Sequence, residues 1–206
     1  MPIPRLSTLS PYSLREGNAV GLVGSLAPIH SGHIDALQSA GRAVANHDGS
    51  VEALVLIPNS SEYVQRKLGK VAARWWSFLE RVDMISNLDT YFDIPVFVDD
   101  ISGADIGLEQ INDVAPITIE ERLGLEGRNT YLVVGSDQLP SMEDYLSDME
   151  RKAVCVIRPG HHDEIQDSMN QKWAKQAIAE RRLLVTLRSN MENDISSTEV
   201  RKNRAG

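Results

Sequence analysis

The chain has 206 residues, 42% of them apolar and 24% charged, an ordinary globular composition that argues against disorder. Twenty-one basic against 29 acidic residues give a formal net charge of -8. That balance disfavours indiscriminate binding to nucleic acid or an anionic membrane, while leaving room for a local basic pocket. A single cysteine, Cys155, excludes an internal disulfide framework and a multi-cysteine zinc site. No apolar run approaches the roughly 18 residues of a membrane-spanning helix, and the N-terminal MPIPRLSTLSPYSLREG has no hydrophobic leader. The expectation is a soluble, cytoplasmic protein with one domain over 1–206.

Residues 1–18 are rich in Pro and Ser without a sustained period and read as an extended lead-in. Six short, nearly continuous apolar runs then follow: 19–25, 51–58, 94–100, 130–136, 152–159 and 183–189. Such runs suit strands buried on both faces, as in a parallel sheet. Between them lie segments of helical spacing. In 33–47 Ile34, Leu37, Ala40 and Val44 share a face. A long pattern over 70–88 predicts a second helix, with Trp75 and Trp76 read as core, and 171–182 predicts a third. Asp105 to Glu121, rich in acids and poor in period, reads as a surface loop and short helix. The alternation predicts an α/β, doubly wound parallel sheet. In that architecture ligands sit beyond the carboxyl ends of the strands.

The residues after the first strand, GSLAPIHSGHIDAL (24–37), carry the most chemistry. Gly24 and Ser25 give a tight turn where backbone N–H groups can approach a phosphate. His30 and His33 bracket the start of the next helix, where unsatisfied N–H groups and the helix dipole favour an anion. Two solvated histidines are the bland reading of such a pair. A zinc reading is weaker, because no third ligand lies near and helical zinc pairs favour i,i+4 spacing. Their position between a Gly-Ser turn and a helix points to phosphate handling.

GSLAPIHSGHIDAL resembles the first signature of the HxGH nucleotidyltransferases, and Ile195-Ser196-Ser197-Thr198-Glu199-Val200-Arg201 resembles the second, ISSTx[IV]R. Further segments are similar to those of nicotinamide- and nicotinate-mononucleotide adenylyltransferases. These are Tyr63, Arg66, Lys67 and Leu68 after the second strand; Glu80 to Met84; VVGSDQL (133–139); and VIRPG (156–160). The resemblance implies a Rossmann-like nucleotidyltransferase fold and transfer of a nucleoside monophosphate onto an acceptor phosphate, with release of pyrophosphate.

The same resemblance implies roles. His30 and His33 would serve the α- and β-phosphates, and Lys67 or Arg66 the acceptor phosphate. Ser197, Thr198 and Arg201 would hold the β- and γ-phosphates. Gly24, Ser25 and Leu26 would offer backbone contacts, and Gly135 and Asp137 would bind the nucleoside. Tyr63, Asp99, Asp100 and Ser25 complete the acceptor side, although Asp99 and Asp100 at a strand end suit a capping or solvated role equally well. Mg²⁺ would be carried by the triphosphate, and a homo-oligomer is implied because related enzymes are commonly oligomers. Partners are therefore a nucleoside triphosphate and a phosphate- or phosphonate-bearing acceptor, with no nucleic acid and no membrane.

AMP transfer from ATP to a pyridine mononucleotide is the favoured reading. Ile101, however, stands where those enzymes carry a stacking Trp, which leaves CMP transfer onto a small phosphonate as the alternative. A catalytically silent nucleotide-binding module is the third. His161-His162-Asp163-Glu164 reads as a solvated turn, and Cys155 as inert core.

Overall fold

The computed structural model describes residues 2–9, 16–68, 76–88, 92–104, 111–125, 129–158 and 162–188. Each apolar run forms a strand: β1 (Asn18–Gly24), β2 (Val51–Pro58), β3 (Val96–Val98), β4 (Thr130–Gly135), β5 (Lys152–Ile157) and β6 (Leu183–Leu187). They pair in parallel as one sheet in the order β3-β2-β1-β4-β5-β6. This is the doubly wound α/β fold that the alternation predicts.

The continuous apolar runs hide a period of two. Val20, Leu22, Leu54, Leu56, Val133 and Val156 face one side, beneath helices α1 (Ser31–Asp48) and α3 (Phe78–Ser86). On the other side Ala53, Val55, Ile57 and Leu132 meet Ile111, Ala115 and Ile119 of α4 (Ile111–Leu123). Also there, Ala153, Cys155 and Ile157 meet Leu146 of α5 (Glu143–Ser147) and Ala174 and Ala177 of α7 (Lys172–Ala179). Two short helices, α2 (Ser61–Leu68) and α6 (Gln166–Asn170), are also present. Full burial of each Val, Leu or Ile stabilises the fold by about 1.5–3 kcal/mol, which is why both faces must be covered. Cys155 lies fully buried in this layer, and burial pushes its thiol up to about 12.

Three elements differ from the sequence expectation. The helix predicted over 70–88 starts only at Phe78: the Ser77 hydroxyl accepts from the Glu80 N–H (3.3 Å) and the Glu80 carboxylate from the Ser77 N–H (2.8 Å). This reciprocal cap fixes the start of the helix. Trp76 therefore lies ahead of the helix, half-buried against Ala27, Val64 and Leu68, while Trp75 falls outside the described residues. The acidic stretch holds a 13-residue helix, because Ile111, Ala115 and Ile119 recur at i, i+4 and i+8 and Pro116 does not break it. Helix α7 stops at Ala179, and Arg181 then takes a left-handed φ of 58°.

The lead-in is anchored along the β3 edge. The Ile3 N–H donates to Ser86 O, the Val98 N–H donates to Pro4 O, and Arg5 bridges to Val98. Pro4 suits that place, since it offers only its carbonyl, and the strap covers an edge that would otherwise template aggregation.

At the amino ends of the central strands, the Asp48 carboxylate accepts from the Tyr131 hydroxyl (2.8 Å) and from Lys152 Nζ (2.9 Å). Burial opposes ionisation of Asp48, but those two donors outweigh it and hold its pKa below the ordinary carboxylate range. A depressed carboxylate contributes stability above its unfolded-state pKa and loses it as the pH falls through the folded one. Asp48→Asn should therefore melt below wild type at neutral pH, with the gap closing in acid. A gap of equal size at pH 7 and pH 3 would show that the charge is irrelevant.

Candidate active site

Strand order places β1 beside β4, and the connection after β1 runs over one face through α1 while the connection after β4 runs over the other through α5. The carboxyl ends then part into a crevice, the position at which such sheets bind ligands. A cavity of about 560 Å³ opens there, within the range of small-molecule sites. Gly24 and Ser25 at the end of β1 line it, as do Asn59 after β2 and Gly135 and Asp137 at the end of β4. Arg158 and Arg188 reach it from the ends of β5 and β6, and Tyr63 and Lys67 from α2.

The first turn of α1 points into the cavity. His30 is the N-cap, and its Nδ1 accepts from the Gly32 N–H at 3.1 Å. Three residues on, His33 Nδ1 accepts from the His30 N–H at 3.3 Å, and the two rings lie 3.8 Å apart. This is a capping box built from imidazoles. A ring whose Nδ1 accepts carries its proton on Nε2. Each histidine thus spends its acceptor on the helix and carries its donor on the other nitrogen, beside a positive helix end. Such an arrangement is suited to phosphate oxygens.

Arg81 holds the surrounding loops in place. Its side chain is fully buried, and its partners are backbone carbonyls. Nη1 donates to Ser25 O (2.8 Å), Nη2 to Asn59 O (2.6 Å), and Nε to Trp76 O and Ser77 O (both 3.2 Å). The turns after β1 and β2 are thereby fastened to the start of α3. Burial pulls the guanidinium pKa down to about 10, so it stays charged at neutral pH. The sequence singles out Glu80 to Met84 as a segment but gives Arg81 no task, because its acceptors lie in three other places in the chain.

The expected residues divide. Gly24, Ser25, His30, His33, Tyr63, Lys67, Gly135 and Asp137 come together around the cavity. Lys67 Nζ donates to the Tyr63 hydroxyl (3.3 Å), one helical turn away on the same face. The Asp137 carboxylate turns back against Gly135, where an added Cβ would stand 2.6 Å from its Oδ1. Arg66 does not line the cavity: on α2 it is exposed, opposite the buried Val64 and Leu68. Leu26 is buried with a left-handed φ of 45°, its side chain folded over Gly24 rather than lining the cavity.

Asp99 and Asp100 also point elsewhere. Asp99 is fully buried, and its Oδ1 accepts from the Ile101 and Ser102 N–H groups (both 2.9 Å). Burial raises its pKa despite those bonds. Asp100 binds the Ser7 N–H and hydroxyl, tying down the lead-in. Ser197, Thr198 and Arg201 lie outside the described residues, as does His161. Among the described residues, no group of three His, Cys, Asp or Glu side chains is placed to hold a metal, and no helix is long and apolar enough to cross a membrane.

Residues 22–203 match the cytidylyltransferase-like family model, a span that begins inside β1 and runs through all six strands. The chain belongs to the cytidylyltransferase-like family. No curated protein matches it. Membership supports nucleotidyl transfer in general, with a nucleoside triphosphate and an acceptor as substrates. For a cytidylyltransferase-like cavity the balance of charge is apt: among the described residues Lys67, Arg158 and Arg188 line it against one carboxylate, Asp137.

Sequence reasoning misses Arg188 and Asn59 as cavity residues. Arg188 leaves a signal, a charge directly beyond an apolar strand, but its partner Asp35 is 153 positions away.

Arg81→Met should leave the Ser25 and Asn59 carbonyls without their donor, at a cost of about 3 kcal/mol. The Tm should fall by on the order of 10 °C. An unchanged melting curve would show that the two turns hold without it.

Proposed function

We propose that the protein transfers a nucleoside monophosphate from a nucleoside triphosphate to the phosphate of a mononucleotide acceptor. AMP from ATP onto nicotinamide or nicotinate mononucleotide is the favoured pair. The observation that carries the reaction class is the imidazole capping box, which commits both Nδ1 atoms to the helix and leaves the Nε2 protons beside the α1 N-terminus.

In this reading an acceptor phosphate oxygen attacks the α-phosphorus in line, and the bond to the bridging oxygen of pyrophosphate breaks. No covalent protein intermediate forms. Catalysis is positioning and neutralisation of developing charge. His30 and His33 donate to the α- and β-phosphate oxygens, and Lys67 neutralises the acceptor phosphate. Gly135 and Asp137 take the nucleoside. Mg²⁺ enters as part of the triphosphate substrate. Ser197, Thr198 and Arg201, within the matched span, take the terminal phosphates.

Tyr63 supports a pyridine acceptor, since its ring lines the cavity beside Lys67 (5.4 Å from Nζ to the ring centroid). One observation favours the alternative, CMP transfer from CTP onto a small phosphonate. Ile101 packs with the apolar layer beneath α4 and not into the cavity, so β3 brings no aromatic platform to the acceptor.

Pyrophosphate release across a grid of ATP, CTP, GTP and UTP against pyridine mononucleotides and phosphonates separates these readings. ATP with a mononucleotide is the expected pair. Release with CTP and a phosphonate alone would replace it, and nucleotide binding without release would mean a silent module.

The histidine assignment has its own test. Asn is a good N-cap, so His30→Asn should keep the helix start while removing the ring. Turnover should fall by on the order of 10²-fold with little change in Tm. Full turnover in that variant would sink the assignment.

A further inference from the structure

Arg188 follows the last strand and is almost fully buried (7% exposed), yet it lines the cavity. Its Nε donates to Asp35 Oδ2 at 3.0 Å, within the second turn of α1. Nη2 lies hard against the first turn of that helix: a Cβ on Gly32 would stand 2.3 Å from it and 3.0 Å from His30 Cε1. The glycine between the two histidines therefore makes room for a guanidinium beside the His30 ring.

This placement is unfavourable by itself. A helix N-terminus carries partial positive charge and repels a cation in its first turn. Asp35 offsets part of that repulsion by pairing through Nε. Arg158, also lining the cavity, adds a further positive charge at the same end of the sheet. Such a concentration is relieved by a polyanion. A guanidinium held at Nε presents its Nη edge as a planar fork that matches phosphate.

Strand order gives the direction. Tyr63 and Lys67 come from α2, which follows β2, whereas Arg188 follows β6, which lies on the other side of β1. In-line displacement requires the attacking and leaving oxygens on opposite sides of the α-phosphorus. With the acceptor at the α2 side, pyrophosphate departs on the side of Arg188. Resting on the nucleotidyl-transfer reading, we infer that Arg188, oriented by Asp35, is a catalytic residue that binds the departing pyrophosphate. As the α-phosphorus bond to the bridging oxygen breaks, that oxygen keeps the electron pair, and the Nη–H groups of Arg188 donate to the negative charge that gathers there.

The test is titration of the full-length protein with inorganic pyrophosphate and, separately, with a nucleoside monophosphate. The variants are Arg188→Lys and the double variant Asp35→Leu/Arg188→Met, which removes both charges while conserving volume. Both should weaken pyrophosphate binding, the double variant at least tenfold, while nucleoside monophosphate affinity holds. In turnover, kcat should fall with the acceptor KM unchanged. Unaltered pyrophosphate affinity in variants of an active enzyme overturns the role of Arg188 alone. Equal weakening of both ligands also overturns it, showing that the pair only supports the fold. A folded wild type that binds neither ligand overturns this inference and the nucleotidyl-transfer reading together. Arg188→Lys keeps the charge at this position, so it secures the comparison should the double variant not fold.

Discussion

Arg81 donates to carbonyls from the turn after β1, the turn after β2 and the start of α3, and that geometry limits where the mouth of the sheet can lie. Removing a guanidinium from water costs several kcal/mol, and charge-assisted bonds to well-placed dipoles offset the cost only if all of them form. Ser25 and Asn59 are thus held by a contact that loses its value when either turn moves. Both residues line the cavity, so the position of its β1–β2 wall follows from a side chain that does not reach it. The Ser77 capping box serves the same end. It starts α3 at Phe78 and so places Arg81 in the first turn, beneath both turns.

The α1 N-terminus satisfies two demands with one pair of side chains. Its first N–H groups need acceptors, which Ser, Asp or Asn would ordinarily provide. Here the imidazoles provide them through Nδ1. A carboxylate cap would satisfy the helix but repel a phosphate, and a hydroxyl would satisfy it without carrying a second donor so far out. Imidazole does both. Gly32 then lets Arg188 approach, and Asp35 holds that arginine in register. The helix cap and the donors that the proposed reading aims at phosphate are thus parts of one local structure.

Much of this was legible in the sequence, for identifiable reasons. Strands in a largely covered parallel sheet advertise themselves as apolar runs, so all six were visible, and β3 begins only after Pro95, which offers a carbonyl but no N–H. The cavity-lining turn was visible because Gly24, Ser25, His30 and His33 are close in the chain. What depended on distant partners was hidden. Arg81 and Arg188 are ordinary surface residues until their acceptors are known. Asp99 and Asp100 look alike at a strand end, yet one turns inward to local N–H groups and the other outward to Ser7. The excess length given to the helix over 70–88 was avoidable, because Ser77 and Glu80 have the spacing of a capping box.

The two ends of the sheet answer the same electrostatic problem differently. At the amino ends, the buried and half-buried polar groups of Tyr131, Lys152 and Asp48 satisfy one another. Among the described residues, the carboxyl ends gather Lys67, Arg158, Arg188 and a helix N-terminus around one lining carboxylate, with Arg188 paired to Asp35 from within α1. The chain as a whole carries -8, so the acid lies outside this cavity. A polyanion approaching the general surface meets repulsion, whereas in the cavity walls of low dielectric strengthen the attraction. Segregating the charge makes the cavity selective for a compact anion that fits inside it over an extended one that would have to lie along the acidic exterior.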